Sequence, residues 1–243
     1  MLESFGWGLL AASSLVVGAL LAFWIKLPIK VIGLIMAFGA GVLISAVAFD
    51  LVEESSSIAE GSGWAIVGLF AGCLVFFGGD WLIDRYGGGR RKSATGSQQG
   101  GSGPAIVLGT ILDGIPESAV IGLTIFHGGE IGVAYLIAVF ISNLPEAIGS
   151  TSGLLAGGWK KSRVFWMWVA IAVISGLASL AGYSVFQNSP PEVVAFVLTF
   201  AAGAIITMLA DTMVPEAFKY AGKLAGIATT LGFAVAYTLH LVA

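Results

Sequence analysis

The 243-residue chain holds one cysteine, Cys73, and two histidines, His127 and His240. That scarcity excludes an internal disulfide, a thiolate cluster and an ordinary metal site built on histidine alone. Charge is sparse too, at 10% of residues with a net value of −3. The eleven Lys and Arg residues fall in small groups between apolar stretches, so no basic stripe exists for nucleic acid. Gly-x-Ser-x-Gly, His-Glu-x-x-His and Walker sequences are all missing, which argues against an enzyme and against coupling to nucleotide. What abounds is apolar: 57% of residues are hydrophobic and 35 are glycine. That is far more than one water-soluble core would bury, and it marks an integral membrane protein whose first partner is the lipid bilayer.

Apolar stretches run near 7–25, 31–52, 64–83, 105–126, 131–158, 164–186, 193–215 and 224–242, bounded by charges, prolines or glycine-rich turns. Each is about the length that crosses a bilayer, and all are too long and too apolar for barrel strands. The expected fold is an all-α integral membrane protein of eight transmembrane helices, a single transmembrane domain over residues 1–243. The first stretch lacks a basic leader and a small-residue cleavage site and reads as a retained helix.

The basic residues orient the chain. Lys26 and Lys30, then Arg85, Arg90, Arg91 and Lys92, then Lys160, Lys161 and Arg163, and finally Lys219 and Lys223 fall in alternate connections. All eleven share one side of an eight-span topology, which the positive-inside rule makes cytoplasmic. The other side carries Glu3, Glu53, Glu54, Glu60, Glu130 and Glu192. Both termini are therefore expected outside a plasma membrane. The stretch 84–103, rich in Gly, Ser and Gln, reads as a flexible cytoplasmic loop, with Arg90-Arg91-Lys92 as a topogenic signal.

A weak repeat is visible as well. Ala37–Ser55 and Thr199–Ala217 align at a constant offset of 162, matching Phe38 with Phe200, Gly41 with Gly203, Ala48 with Ala210 and Glu54 with Glu216. In the expected topology these two segments insert in opposite directions. An inverted repeat of helices 1–3 and 6–8 around helices 4 and 5 follows, an arrangement that in secondary transporters places the substrate near mid-membrane. Convergence on small-residue helix packing is the competing explanation.

Most acidic residues sit at helix ends, but Asp113, Glu117 and Glu146 lie deep within apolar stretches, where a charge costs a few kcal/mol and faces a cavity or a partner. Asp113 and Glu117 are four residues apart in helix four; Asn143 and Glu146 are three apart in helix five, each pair on one helical face. Neither helix contains Lys or Arg. Pro116 and Pro145 each remove a helical N–H, freeing the carbonyls of Leu112 and Ile141 and kinking both helices. Carboxylates, an amide oxygen and free carbonyls together describe an all-oxygen site for a divalent cation such as magnesium or manganese, with iron and zinc also accessible. Protonated carboxyls bonding between helices, a proton relay without metal, and an intramembrane hydrolase are the other readings.

These motifs resemble those of the ZIP (zinc/iron-regulated transporter-like) family over nearly the whole chain. Asp113-Gly114-Ile115-Pro116-Glu117-Ser118 is similar to the family's His-Asn-x-Pro-Glu-Gly in helix four, and Ser142-Asn143-Leu144-Pro145-Glu146-Ala147 to its polar-x-Pro-Glu-Gly in helix five. Asp50-Leu51-Val52-Glu53-Glu54-Ser55 resembles His-Leu-Leu-Pro-Glu-Ala, and Val214-Pro215-Glu216-Ala217 is similarly family-like. The resemblance implies a homodimeric, alternating-access transporter of divalent metal, with the ion as substrate and no cofactor. It implies Glu117 and Glu146 as metal ligands, Asn143 as a further ligand, and Asp113 in place of the family's histidine. Loss of that histidine weakens the case for zinc over harder ions. Glycine at 114 removes a ligand for a second metal, so one ion is expected. A membrane sensor or scaffold of the same fold that binds metal without moving it is the alternative.

Asp50, Glu54, Ser142, Asp211 and Glu216 are candidates for the pathway, helix-end solvation being the plainer role for the four acids. Ser175 and Ser179 either line the path or permit close helix packing. His127 and His240 are expected as solvated interface residues, and Asp80 and Asp84 either to bind metal peripherally or to pair with Arg85.

Overall fold

The computed structural model describes residues 2–25, 27–59, 63–85, 103–126, 130–186 and 188–242. Among them the chain is helical throughout, without strands. Eight helical rods follow in order: α1 (Leu2–Trp24), α2 (Ile29–Ile58), α3 (Trp64–Ile83), α4 (Gly103–Phe126), α5 (Glu130–Ala156), α6 (Lys161–Phe186), α7 (Pro191–Ala221) and α8 (Leu224–Val242). Lys26, Glu60, the Arg90-Arg91-Lys92 cluster and His127 lie outside the described residues, as does most of the expected cytoplasmic loop.

Seven of these rods are long and apolar enough to cross a membrane. The other, α5, carries Ser142, Asn143, Glu146, Ser150, Thr151 and Ser152 along its length. Its 27 residues nonetheless extend about 40 Å at about 1.5 Å per residue. Burial runs opposite to that of a water-soluble protein. Phe70 and Leu74 on α3 are 63% and 66% exposed, and Ile227 and Leu231 on α8 are similarly bare, whereas Asp113, Glu117 and Glu146 are inside. Apolar outside and polar inside is the distribution that lipid as solvent selects.

Small residues set the packing, because without a hydrophobic drive between helices in lipid, close van der Waals approach must hold them together. A Cβ on Gly41 of α2 would overlap the Thr229 carbonyl of α8 and crowd Phe233 N, while one on Gly232 would overlap the Phe38 carbonyl. On the other side of the bundle, Gly203 of α7 meets Leu69 O and Cys73 N of α3, and Gly72 meets Phe200 O. The two seams use equivalent positions: Phe38 and Gly41 stand 162 residues before Phe200 and Gly203, and Leu69, Gly72 and Cys73 stand 160 before Thr229, Gly232 and Phe233.

The likeness extends to the backbone. Both α2 and α7 begin after a proline, Pro28 and Pro190. Both then loosen into π-helical winding that starts at positions 162 apart, over Val47–Glu53 and Leu209–Met213, before resuming α-helix at Glu54 and Val214. Neither apolar periodicity nor proline spacing announces such winding. It carries both helices about one and a half turns beyond the ends expected near 52 and 215, because the polar tails stay helical instead of starting a loop.

A second group of helices carries the acids. α1 and α6 run antiparallel, tied by reciprocal hydrogen bonds at Ser4 and Ser179, where each hydroxyl donates to the other residue's carbonyl at 2.8 Å. At the far end Lys161 Nζ donates to the Phe23 carbonyl at 2.8 Å. Ser179 thus serves helix packing, the second of its two expected roles. α4 lies along α6 through Gly122 and Gly182, and α5 along α1 through Gly18, whose absent Cβ would press on Leu144 O and Ala147. The α5–α6 turn is locked where Trp168 Nε1, fully buried, donates to Thr151 Oγ1 at 2.8 Å.

Candidate metal site

Two proline-bearing helices build the site. α4 continues through Pro116 and α5 through Pro145. Since proline lacks an N–H, the carbonyls of Leu112 and Ile141 lose their helical donors within these rods. Asp113 and Glu117, 4% and 2% exposed, share the buried face of α4 with Thr110. Asn143 and Glu146, 8% and 6% exposed, share that of α5 beside Ser142.

Neighbouring helices wrap this face of α5 with small residues. A Cβ on Gly39 of α2 would stand 3.1 Å from Pro145 Cγ and 3.3 Å from Ser142 Cα. Gly18 of α1 approaches from another side at Leu144 and Ala147. Around Gly114 on α4 there is more room, the nearest atom being Ser175 Oγ, 3.6 Å from where a Cβ would be. Asn143 and Glu146 are therefore held by backbone packed on two sides, while Gly114, next to Asp113, is less tightly packed.

The donor set is oxygen only: three carboxyl groups and an amide, with no Lys or Arg on either helix. Buried carboxylates in a membrane interior are stable when a cation or hydrogen-bond donors meet them. Among the described residues no three His, Cys, Asp or Glu side chains converge closely enough to hold an ion. Asp113, Glu117, Asn143 and Glu146 are therefore buried on α4 and α5 without their carboxyl groups forming a closed cage among the described residues.

The pathway candidates separate by depth. Asp50, in the π-helical part of α2, and Ser142 are buried. Ser142 Oγ donates to Val139 O at 3.0 Å. Glu54 and Glu216 are half-buried at the resumed α-helical segments, Glu216 lying 3.6 Å from Lys219 Nζ. Asp211 is exposed on α7. At the end of α3, Arg85 stacks on Trp81, 3.7 Å from the ring centre, and Asp80 is buried.

Two residues stand out that sequence reasoning undervalued. His240, expected as a solvated interface residue, places Nδ1 2.8 Å from Asp50 Oδ1. Tyr135 of α5 is fully buried, and its hydroxyl has no hydrogen-bond partner among the described residues. A tyrosine within the apolar run Gly132–Phe140 was the available signal for the second.

The chain is similar to plant zinc transporters. It is 24% identical to a putative zinc transporter of Arabidopsis thaliana across 84% of its own length, although it spans only 33% of that relative. It is 25% identical to the zinc transporter ZTP29 of the same plant, across 92% of this chain and 87% of the relative. No family model matches. These relatives and a bundle of apolar helices support metal transport in general.

Proposed function

We propose that this chain carries divalent metal ions, zinc among them, across a membrane by alternating access, as a non-enzymatic transporter of the ZIP type. The observation that carries the reading is the burial of Asp113, Glu117, Asn143 and Glu146 on two proline-bearing helices of a bundle whose outer surface is apolar. Similarity to proteins named zinc transporters supports the choice of substrate.

In this reading Glu117 and Glu146 are the principal ligands, Asn143 supplies an amide oxygen and Asp113 a further carboxylate. The carbonyls of Leu112 and Ile141 are additional acceptors. A partly dehydrated cation offsets repulsion among the carboxylates, which draw together as it binds. All-oxygen coordination accommodates manganese and iron as well as zinc, so selectivity is broad.

The packing directions support eight spans. α4 and α6 run the same way past one another, as Gly114 beside Ser175 and Gly122 beside Tyr183 require. α5 joins their opposite ends and so must cross between them. The equivalent seams, proline starts and π-helical windings of α2 and α7 support an inverted repeat relating helices 1–3 to 6–8. Movement of the α1, α4, α5 and α6 group against α2, α3, α7 and α8 then opens the site to either side in turn. Gly39 against Pro145 and Gly79 against Leu112 are thin points of that boundary. We place both termini outside a plasma membrane, in a homodimer.

Proteoliposome uptake of zinc, iron(II), manganese, cobalt and cadmium tests the proposal. Uptake by the native chain should fall at least tenfold in both Glu117→Ala and Glu146→Ala. A folded native protein that binds an ion yet accumulates none would overturn it in favour of a non-transporting sensor or scaffold.

A further inference from the structure

We propose that Asp50 and His240 form a second divalent-cation site, at the C-terminal ends of α2 and α8 and separate from the carboxylates of α4 and α5. Its ligands are one carboxylate oxygen and one imidazole nitrogen, with water completing the shell. Its preferred ion is therefore a borderline metal such as zinc, which takes nitrogen as readily as oxygen.

The geometry is close to what such an ion requires. Ligands about 2.0 Å from a tetrahedral zinc stand about 3.3 Å apart. Asp50 Oδ1 and His240 Nδ1 are already 2.8 Å apart, on helices that the Gly41–Gly232 seam fixes side by side. An entering ion need part them by only about half an ångström. With Nε2 keeping its proton, the ion takes up the Nδ1 lone pair and the proton held between Nδ1 and Oδ1 leaves to water, so one cation replaces one proton and no electrons move.

The imidazole is held for this task. Phe49, next to Asp50, lies against the His240 ring at 5.3 Å between centroids and against Tyr237 at 4.9 Å. His240 is part-exposed, its side chain at 31%, whereas Asp50 beneath it is at 4%. An ion therefore meets the imidazole first and the carboxylate second. Asp50 also sits in π-helical winding, which in other helices recurs at functional positions.

Two protein ligands bind loosely, which suits a site that collects ions and passes them on. An interhelical hydrogen bond with no metal affinity is the competing role for the pair, and histidine NMR separates the two. Full-length protein carrying His127→Gln has His240 as its only histidine. With 15N-histidine labelling, zinc should shift the His240 nitrogens saturably. The shift should persist in Glu117→Ala/Glu146→Ala and weaken at least tenfold in apparent Kd with Asp50→Asn. His240→Gln, which retains a hydrogen-bonding side chain, should bind one zinc fewer per chain by equilibrium dialysis. Unmoved His240 resonances at saturating zinc would overturn the proposal, as would a shift indifferent to Asp50→Asn or an unchanged stoichiometry in His240→Gln. Failure of the transport reading is distinguishable, because uptake would be missing while the His240 shift remained.

Discussion

Gly41 and Gly203, 162 residues apart, occupy the same place in two different seams, each backed against the carbonyl of a residue three before its partner helix's own contact glycine. Thr229 and Gly232 serve Gly41 as Leu69 and Gly72 serve Gly203. Backbone meets backbone at both, so neither seam has a flexible side chain that can yield.

Gly41→Ala and Gly203→Ala should therefore each destabilise the bundle, by about 1–3 kcal/mol, as overpacking of a close-packed core does. Gly114→Ala adds the same methyl group facing only Ser175 Oγ at 3.6 Å and should be nearly neutral. Thermal unfolding in detergent compares the three. Equal losses at Gly41 and Gly114 would mean that seam contact does not govern these positions, since helix propensity alone favours alanine over glycine at both.

Burial makes the Trp168 indole dependent on one acceptor. Thr151→Val keeps the shape and removes the hydroxyl, leaving Nε1 inside the bundle without its 2.8 Å partner, at a cost of about 1–3 kcal/mol. Thr151→Ser restores the acceptor and should recover most of the loss. In a Trp168→Phe background, Thr151→Val should cost much less, since no donor remains to be stranded; the double-mutant cycle reads that coupling directly.

The sequence made the helices legible because lipid demands long apolar runs, and those at 64–83 and 224–242 have the bounds of α3 and α8. It also showed the acids of α4 and α5, since a carboxylate in such a run is conspicuous. The π-helical winding stayed hidden: it changes hydrogen bonding along the backbone without altering the apolar pattern. The Asp50–His240 pair was hidden for another reason. Its members are 190 residues apart and meet only because α2 and α8 run side by side through glycine contacts, which periodicity within one helix does not encode.

Orientation is testable on exposed serines. Ser57 ends α2, where the basic-residue pattern expects the outside, and Ser162 begins α6, where it expects the cytoplasm. In a Cys73→Ala background, a membrane-impermeant maleimide applied to intact cells should label Ser57→Cys and leave Ser162→Cys untouched until the membrane is opened. Labelling of both from outside would break the eight-span topology, because an odd number of crossings must separate these two positions.

Asp113 offers the sharpest test of what the α4–α5 site selects. Family-like sequences carry histidine there, and imidazole favours zinc over manganese where a carboxylate discriminates weakly. Asp113→His should therefore raise the ratio of zinc to manganese uptake by about tenfold, equivalent to ~1.4 kcal/mol between the two ions. The substitution also replaces a charged ligand with a neutral one, so manganese uptake should fall more than zinc uptake rises. A ratio that stays constant while uptake of both ions persists would place Asp113 outside the ion's coordination shell. Selectivity would then rest on Glu117, Asn143 and Glu146 alone.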